Sequence, residues 1–333
     1  HFGAVDAECE IYLNDNFVGG HIGGYLPFKF DITDLLCEGD NKLVVRVIDR
    51  LDTELAYGKQ SAKRGGMWYT PVSGIWQTVW MEEVPEDYIE SIKITPDLKG
   101  IDITVTGGRN EKTILFEGKE YSFSGESFRL NVESPKLWTP ETPNLYDFEL
   151  VSGVDRISSY FALRTIKAES KDLLLNGKPY FFHGLLDQGY FSDGIYLPAT
   201  PKGFENDIIT MKKLGFNMLR KHIKIEPAVF YYYCDKYGMA VFQDLVNSGN
   251  YSFLIDTALP TVLFKKGISH RASARRRKNF ISDMENTLSL LYNYPSVCYY
   301  TLFNEGWGQF DAKNMYTLAK ELEPTRVWDA TSG

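Results

Sequence analysis

The sequence predicts two β-sandwiches followed by the first part of a (β/α)₈ TIM barrel, a multidomain β plus α/β protein. Three observations carry that reading. Period-two alternation broken by polar turns fills the first half, no helical periodicity appears before about residue 169, and from there strand-like and helix-like runs alternate to the end. A length of 333 residues suits two or three such domains.

Residues 1–84 read as a jelly-roll-like β-sandwich. Cys9-Glu10-Ile11-Tyr12-Leu13 and Lys42-Leu43-Val44-Val45-Arg46-Val47 alternate, and Asn14-Asp15-Asn16 and Glu38-Gly39-Asp40-Asn41 are the turns. A loop from Lys63 to Gln77 is rich in glycine and aromatics. Its Trp68 is expected to face a ligand and its Trp76 to pack beneath its own sandwich. Residues 85–168 read as an immunoglobulin-like sandwich: Ile89 to Ile94 and Ile101 to Val105 alternate, and prolines 135, 140 and 143 exclude a helix between them and the next strands. Nothing in this segment looks catalytic.

Residues 169–333 carry the βα rhythm. Strands are expected at Tyr180–Leu186, Phe216–Arg220, Met239–Gln243, Val297–Phe303 and Arg326–Asp329. Helices are expected at Pro201–Leu214, Pro227–Tyr237, Arg277–Tyr292 and Asp311–Glu321. With no glycine-rich phosphate loop after the first strand, a nucleotide-binding open sheet is disfavoured against a barrel. Five of the eight strands of such a barrel fit before Gly333. Both this end and the start at His1 fall within strand-like sequence, so the expectation is a piece of a larger protein.

Composition narrows the function. Lys plus Arg total 36 against 44 Asp plus Glu, a formal charge of −8, which disfavours a nucleic-acid partner. No run approaches the roughly 18 apolar residues of a membrane-spanning helix, so no membrane partner is expected. Neither a targeting signal nor a compartment is legible. The four cysteines, Cys9, Cys37, Cys234 and Cys298, lack metal-ligand spacing and read as reduced thiols, and neither a metal nor another cofactor is expected. The 14% aromatic content suits β-rich cores and stacking on the apolar faces of sugar rings. The basic run Arg275-Arg276-Arg277-Lys278 reads as a solvated first helical turn.

In a barrel, chemistry sits at the C-terminal ends of the strands. Here these ends are Asp187-Gln188, Arg220-Lys221-His222, Gln243-Asp244, Asn304-Glu305 and Asp329. Glu305 closes the most apolar strand and precedes Gly306-Trp307-Gly308. A carboxyl buried beside a tryptophan has a raised pKa, the property that a general acid for glycosidic cleavage requires. Glu305 is therefore the candidate catalytic residue. Asn304, Arg220, His222, Asp187, Asp244, Trp307 and Trp68 are the candidate substrate-binding residues, and the expected partner is a carbohydrate.

These residues also carry a resemblance. Asn293-Tyr294-Pro295-Ser296-Val297, with the strand running to Phe303-Asn304-Glu305-Gly306-Trp307, resembles the acid/base segment of glycoside hydrolase family 2. Asn217-Met218-Leu219-Arg220, Asp235 to Phe242, Trp138 to Tyr146, Ser73-Gly74-Ile75-Trp76 and Leu174 to Pro179 resemble that family's other recurrent segments, in the family's order. The resemblance implies a sugar-binding first domain and a retaining β-glycosidase. It makes Glu305 the acid/base, has Asn304 bonding the sugar 2-hydroxyl, and pairs Arg220 with a nucleophilic glutamate on strand seven, beyond Gly333. The chain alone is then expected to be inactive, and an oligomeric state is left open. Two departures stand out: Lys221-His222-Ile223-Lys224 replaces the family's Ser-His-Tyr-Pro, and Gly65-Gly66-Met67-Trp68 stands where β-galactosidases carry an acidic residue. The competing expectation is a non-catalytic carbohydrate-binding or structural protein.

Overall fold

A computed structural model describes residues 1–63, 65–263, 272–304 and 307–332 of the chain. In the first domain, strand Glu8–Leu13 lies between Asn16–Ile22 and Leu43–Ile48 in an antiparallel sheet. Cys9, Ile11 and Leu13 are buried while the residues between them are half-exposed, as the alternation requires. Asn14 and Asp15 both adopt positive φ, 51° and 64°, the backbone that a two-residue hairpin demands. The second domain pairs a three-stranded sheet (Ser127–Asn131, Gly100–Gly107, Ile89–Pro96) with a four-stranded one (Asp155–Phe161, Tyr146–Ser152, Glu111–Phe116, Lys119–Ser124). Ile101, Ile103 and Val105 of the first sheet meet Ile114, Phe148 and Leu150 of the second in one core.

The third domain supplies five consecutive parallel strands: β1 Gly184–Asp187, β2 Met218–Lys221, β3 Ala240–Asp244, β4 Val297–Phe303 and β5 Val327–Thr331. Between them lie helices α1 Lys202–Lys213, α2 Ala228–Tyr237, α3 Ala274–Leu291 and α4 Ala312–Leu322. Ser273 caps α3 by accepting the Arg276 amide at 3.0 Å. Gly238 ends α2 at φ 72°, where a Cβ would stand 2.3 Å from the Pro140 carbonyl oxygen, so glycine is needed both for conformation and for room.

The expected first strand, Tyr180–Leu186, is shortened at its start. Lys178–Pro179 pairs with Asp172–Leu175 in a small sheet that also takes Ile166–Glu169, and only Gly184–Asp187 enters the barrel. Within the basic run Arg275 and Lys278 are exposed, but Arg276 is 4% exposed, and donates to the Ser248 hydroxyl at 3.2 Å and to the Gly308 carbonyl. Gly249 leaves the space its guanidinium occupies. All four cysteines are free, and Cys9, Cys234 and Cys298 are buried.

The second domain locks onto the N-terminal side of the barrel. Trp138, fully buried, donates its indole N–H to the Asp235 carbonyl at 2.9 Å. Arg164 donates to the carbonyls of Pro295 (2.9 Å) and Val297 (2.7 Å). The Asp235 carboxylate accepts from Tyr160 at 2.8 Å and from the Ser296 amide at 2.7 Å. Several of the recurrent sequence segments meet at this joint. Among the described residues no helix is long and apolar enough to cross a membrane.

Candidate functional site

Strand alternation sorts the residues of the opposite, C-terminal rim. Along β2, Leu219 and Lys221 turn toward the helices, where Lys221 lies 4.5 Å from the Phe230 ring of α2, and Arg220 takes the other face. Along β3, Gln243 turns the same way as Lys221 and receives the Tyr231 hydroxyl at 2.7 Å. Asp244, one residue on, meets Arg220 instead.

Arg220 grips Asp244 with both arms of its fork, Nε to Oδ1 at 2.9 Å and Nη2 to Oδ2 at 3.0 Å. The same Nη2 reaches the Asn304 Oδ1 at 3.0 Å and the Ser332 hydroxyl at 2.8 Å. His222 Nδ1 is 3.1 Å from Asp244 Oδ2, and Ser332 donates to the Asn304 carbonyl. The ends of β2, β3, β4 and β5 are thus joined in one network. Asp244 is fully buried and Asn304 is 4% exposed, yet the Asn304 Nδ2 has no partner among the described residues. An unpaired buried donor is costly, of the order of 1–3 kcal/mol, and such groups collect where a ligand completes the site.

Asp187 sits in a neighbouring cluster. Lys221 Nζ lies 2.8 Å from the Asp187 carboxylate and 2.7 Å from that of Glu226, and Lys224 Nζ lies 3.0 Å from the same Glu226 oxygen. Lys224 also donates to the carbonyls of Gly189 (2.7 Å) and Tyr196 (2.6 Å), pinning the loop after β1. Burial acts to raise the Asp187 pKa, but Lys221 outweighs it and holds the carboxyl below its usual range. Burial similarly opposes the charge on Lys221, and Asp187 and Glu226 overcome it. For Lys224 burial prevails and brings the ammonium down to about 8. The Lys-His-Ile-Lys run therefore builds a buried ion cluster behind the rim, and the Asp187 carbonyl holds the His222 amide at 2.9 Å.

Aromatic rings from three segments gather beside this network. Trp307, 5% exposed, lies 5.8 Å from Trp68 and 6.0 Å from Tyr251, with Tyr57 at 6.2 Å. Tyr69 meets His222 edge-on at 6.1 Å. Trp76 lies in the interface between the first domain and the barrel, 4.7 Å from Tyr196, where its expected place was under its own sandwich. Structure therefore brings Arg220, His222, Asp244 and Asn304 together, and separately Trp68 with Trp307. Glu305 lies outside the described residues, between Asn304 and Trp307 in sequence. Ser332, Tyr69 and Tyr251 were missed. Ser332 and Tyr251 carry no motif, whereas Tyr69 follows Trp68 in the loop already singled out. Among the described residues no group of three or more His, Cys, Asp or Glu could hold a metal ion.

The TIM barrel domain of glycosyl hydrolases family 2 matches residues 166–332, half of the chain. The chain belongs to glycosyl hydrolases family 2. The sugar binding domain of the family matches residues 1–85, and its remaining domain matches residues 85–164. Similar family 2 proteins include a putative β-glucuronidase of Formosa agariphila, 25% identical over 369 residues (98% of this chain, 41% of the relative). A β-galactosidase of Priestia megaterium is 23% identical over 363 residues (98% and 34%). The chain thus spans less than half the length of these relatives. Among solved structures, an uncultured Clostridium sp. β-glucuronidase superposes with a TM-score of 0.80 at 20% identity, covering 98% of this chain and 58% of that one. Bacteroides uniformis β-glucuronidase 3 gives 0.78 at 20% identity, covering 98% and 44%. These two likenesses bear on the fold.

Proposed function

We propose that the intact protein is a retaining β-glycosidase that removes a terminal β-linked sugar, with Glu305 as the general acid/base. The observation that carries this reading is the Arg220–Asp244–Asn304–His222 network at the C-terminal ends of adjacent barrel strands, which holds the residue preceding Glu305 in place. Asn304 is fixed through its Oδ1, leaving its N–H₂ as the donor for a sugar hydroxyl. Arg220 and Asp244 act as the positioning pair, and Trp68 and Trp307 as the apolar wall against which a ring stacks. In the first step Glu305 gives its proton to the departing glycosidic oxygen while a second carboxylate attacks the anomeric carbon, and in the second step it takes a proton from water. No residue of this chain is assigned the nucleophilic role, so the chain on its own is expected not to turn over substrate. β-Galactosidase and β-glucuronidase relatives support a β-linked hexose or hexuronic acid as the substrate class.

Glu305→Gln in the intact protein tests the assignment. Hydrolysis of alkyl β-glycosides should fall by about 10² to 10⁴-fold, while aryl glycosides with activated leaving groups, which need no protonation to depart, should lose much less in the glycosylation step. Equal losses on both substrates would remove the acid role, and full activity would remove the site.

A further inference from the structure

A cleft of about 1070 Å³ opens where the three domains meet, behind the rim. The first domain contributes the segment His21–Lys29, the second contributes Glu90 and Ser91, and α3 contributes Asp283 and Thr287. Its back wall, which includes Ile225, Val246 and Phe280, is apolar, and none of Arg220, His222, Asp244, Asn304 or Trp307 lines it. Domain junctions of this size and lining are frequent ligand sites.

The charges in the cleft do not balance. Lys29 is 3.6 Å from Glu90, and the His1 ring is 2.8 Å from Glu82. His21 is kept neutral by burial, and its Nε2 has no partner. Asp283 is left with no hydrogen bond or ion pair among the described residues, and burial alone pushes its carboxyl up to about 6. Gly23, at φ 123°, lies between the two groups: a Cβ there would stand 3.8 Å from His21 Nε2 and 3.9 Å from Asp283 Oδ1. His21 also stacks on Phe28, with ring centres 4.2 Å apart, and the two rings form an aromatic wall.

We infer that this cleft binds an organic cation, an ammonium group carried on an apolar body, with Asp283 as its counter-ion. A desolvated carboxylate without a cation is costly, and an arriving ammonium offsets that cost by pairing with it. The apolar back wall receives the ligand body. A neutral polyol would leave the carboxylate charge uncompensated. The inference stands independently of the hydrolytic reading.

Benzylammonium is the probe, benzyl alcohol its neutral counterpart, and thermal melting of the intact protein the readout. At about pH 7.5 benzylammonium should raise the melting temperature saturably and benzyl alcohol should not; at about pH 5, where Asp283 has taken a proton, the apparent affinity should be about tenfold weaker. Asp283→Asn should abolish the response, and Glu305→Gln should retain it, which separates the cleft from the barrel mouth. No saturable shift, an equal shift in Asp283→Asn, or an equal effect of benzyl alcohol overturns the site. Should Asp283→Asn not fold, the comparison of the two pH values on the unaltered protein decides the matter.

Discussion

At the N-terminal end of the barrel, the buried charged groups Arg164 and Asp235 are answered by protein. Arg164 is buried with two carbonyls as acceptors, and Asp235 is buried with the Tyr160 hydroxyl and the Ser296 amide as donors. At the C-terminal end, Asn304 keeps a donor without a partner and Glu226 an acceptor, both in fully enclosed side chains. The first pattern is what a permanent joint between domains needs. The second leaves polar capacity for a molecule that is not part of the chain. Barrels divide labour in this way because the loops following the strands can vary without disturbing the packed bottom.

The sharpest way to break this contrast is Arg220→Ala. It leaves the buried Asp244 without its guanidinium partner, with His222 alone beside it, and frees Asn304, so both stability and activity should suffer, by about 3–5 kcal/mol in unfolding free energy. Asp244→Asn with Arg220→Met should recover much of the stability and none of the activity. Recovered turnover in that double variant would show that the pair serves only folding.

Trp138→Ala attacks the other end. Loss of a fully buried indole and its hydrogen bond to Asp235 should cost about 3–5 kcal/mol by chemical denaturation, while kcat/KM per folded molecule stays unchanged. A change in kcat/KM would couple the joint to the rim.

Asp235 offers a subtler probe. Burial pushes its carboxyl up to about 7. With the folded pKa above the unfolded one, its contribution to stability is fully present below about pH 4 and is lost as pH rises through about 7. Asp235→Asn should therefore flatten the fall in urea midpoint between about pH 4 and 7, in part only, because Asp6 and Asp283 are shifted in the same direction. An unaltered slope would mean that Asp235 does not titrate in that range. The smallest effect is expected for Trp68→Ala: about three- to tenfold in KM with little change in kcat, the loss of one stacking partner.

Much of this molecule is legible in its sequence. The strand β4 is found at Val297–Phe303 as its largely apolar run predicts, because a strand covered on both faces carries few polar positions to blur its ends. Helices α1, α2 and α4 fall within a residue or two of their expected limits, since proline, glycine and capping residues mark them locally. The first strand was overextended because Tyr180, Phe181 and Phe182 read like strand, whereas Lys178–Pro179 had already paired with a hairpin that sequence could not see. Within the candidate site, Arg220, His222, Asp244 and Asn304 were named from their places after apolar runs. Ser332 was not, since a serine in a turn has no signature until the fold carries it to a guanidinium.

Sequence by itself determined the order of domains, the direction of the barrel strands and which polar residues stand at their ends, because alternation, turn chemistry and apolar runs act over a few residues. Tertiary structure alone decided which of those residues meet. Arg220 and Asp244 are 24 residues apart and join only because β2 and β3 lie side by side. Arg276 sits in a run that reads as solvated and is buried only because loops after β3 and β4 close around it. Asp283 looks like an ordinary surface position on a helix until the first domain partly covers it and leaves it without a counter-ion among the described residues. Pairing and desolvation are relations between distant segments, and no short stretch of sequence contains them.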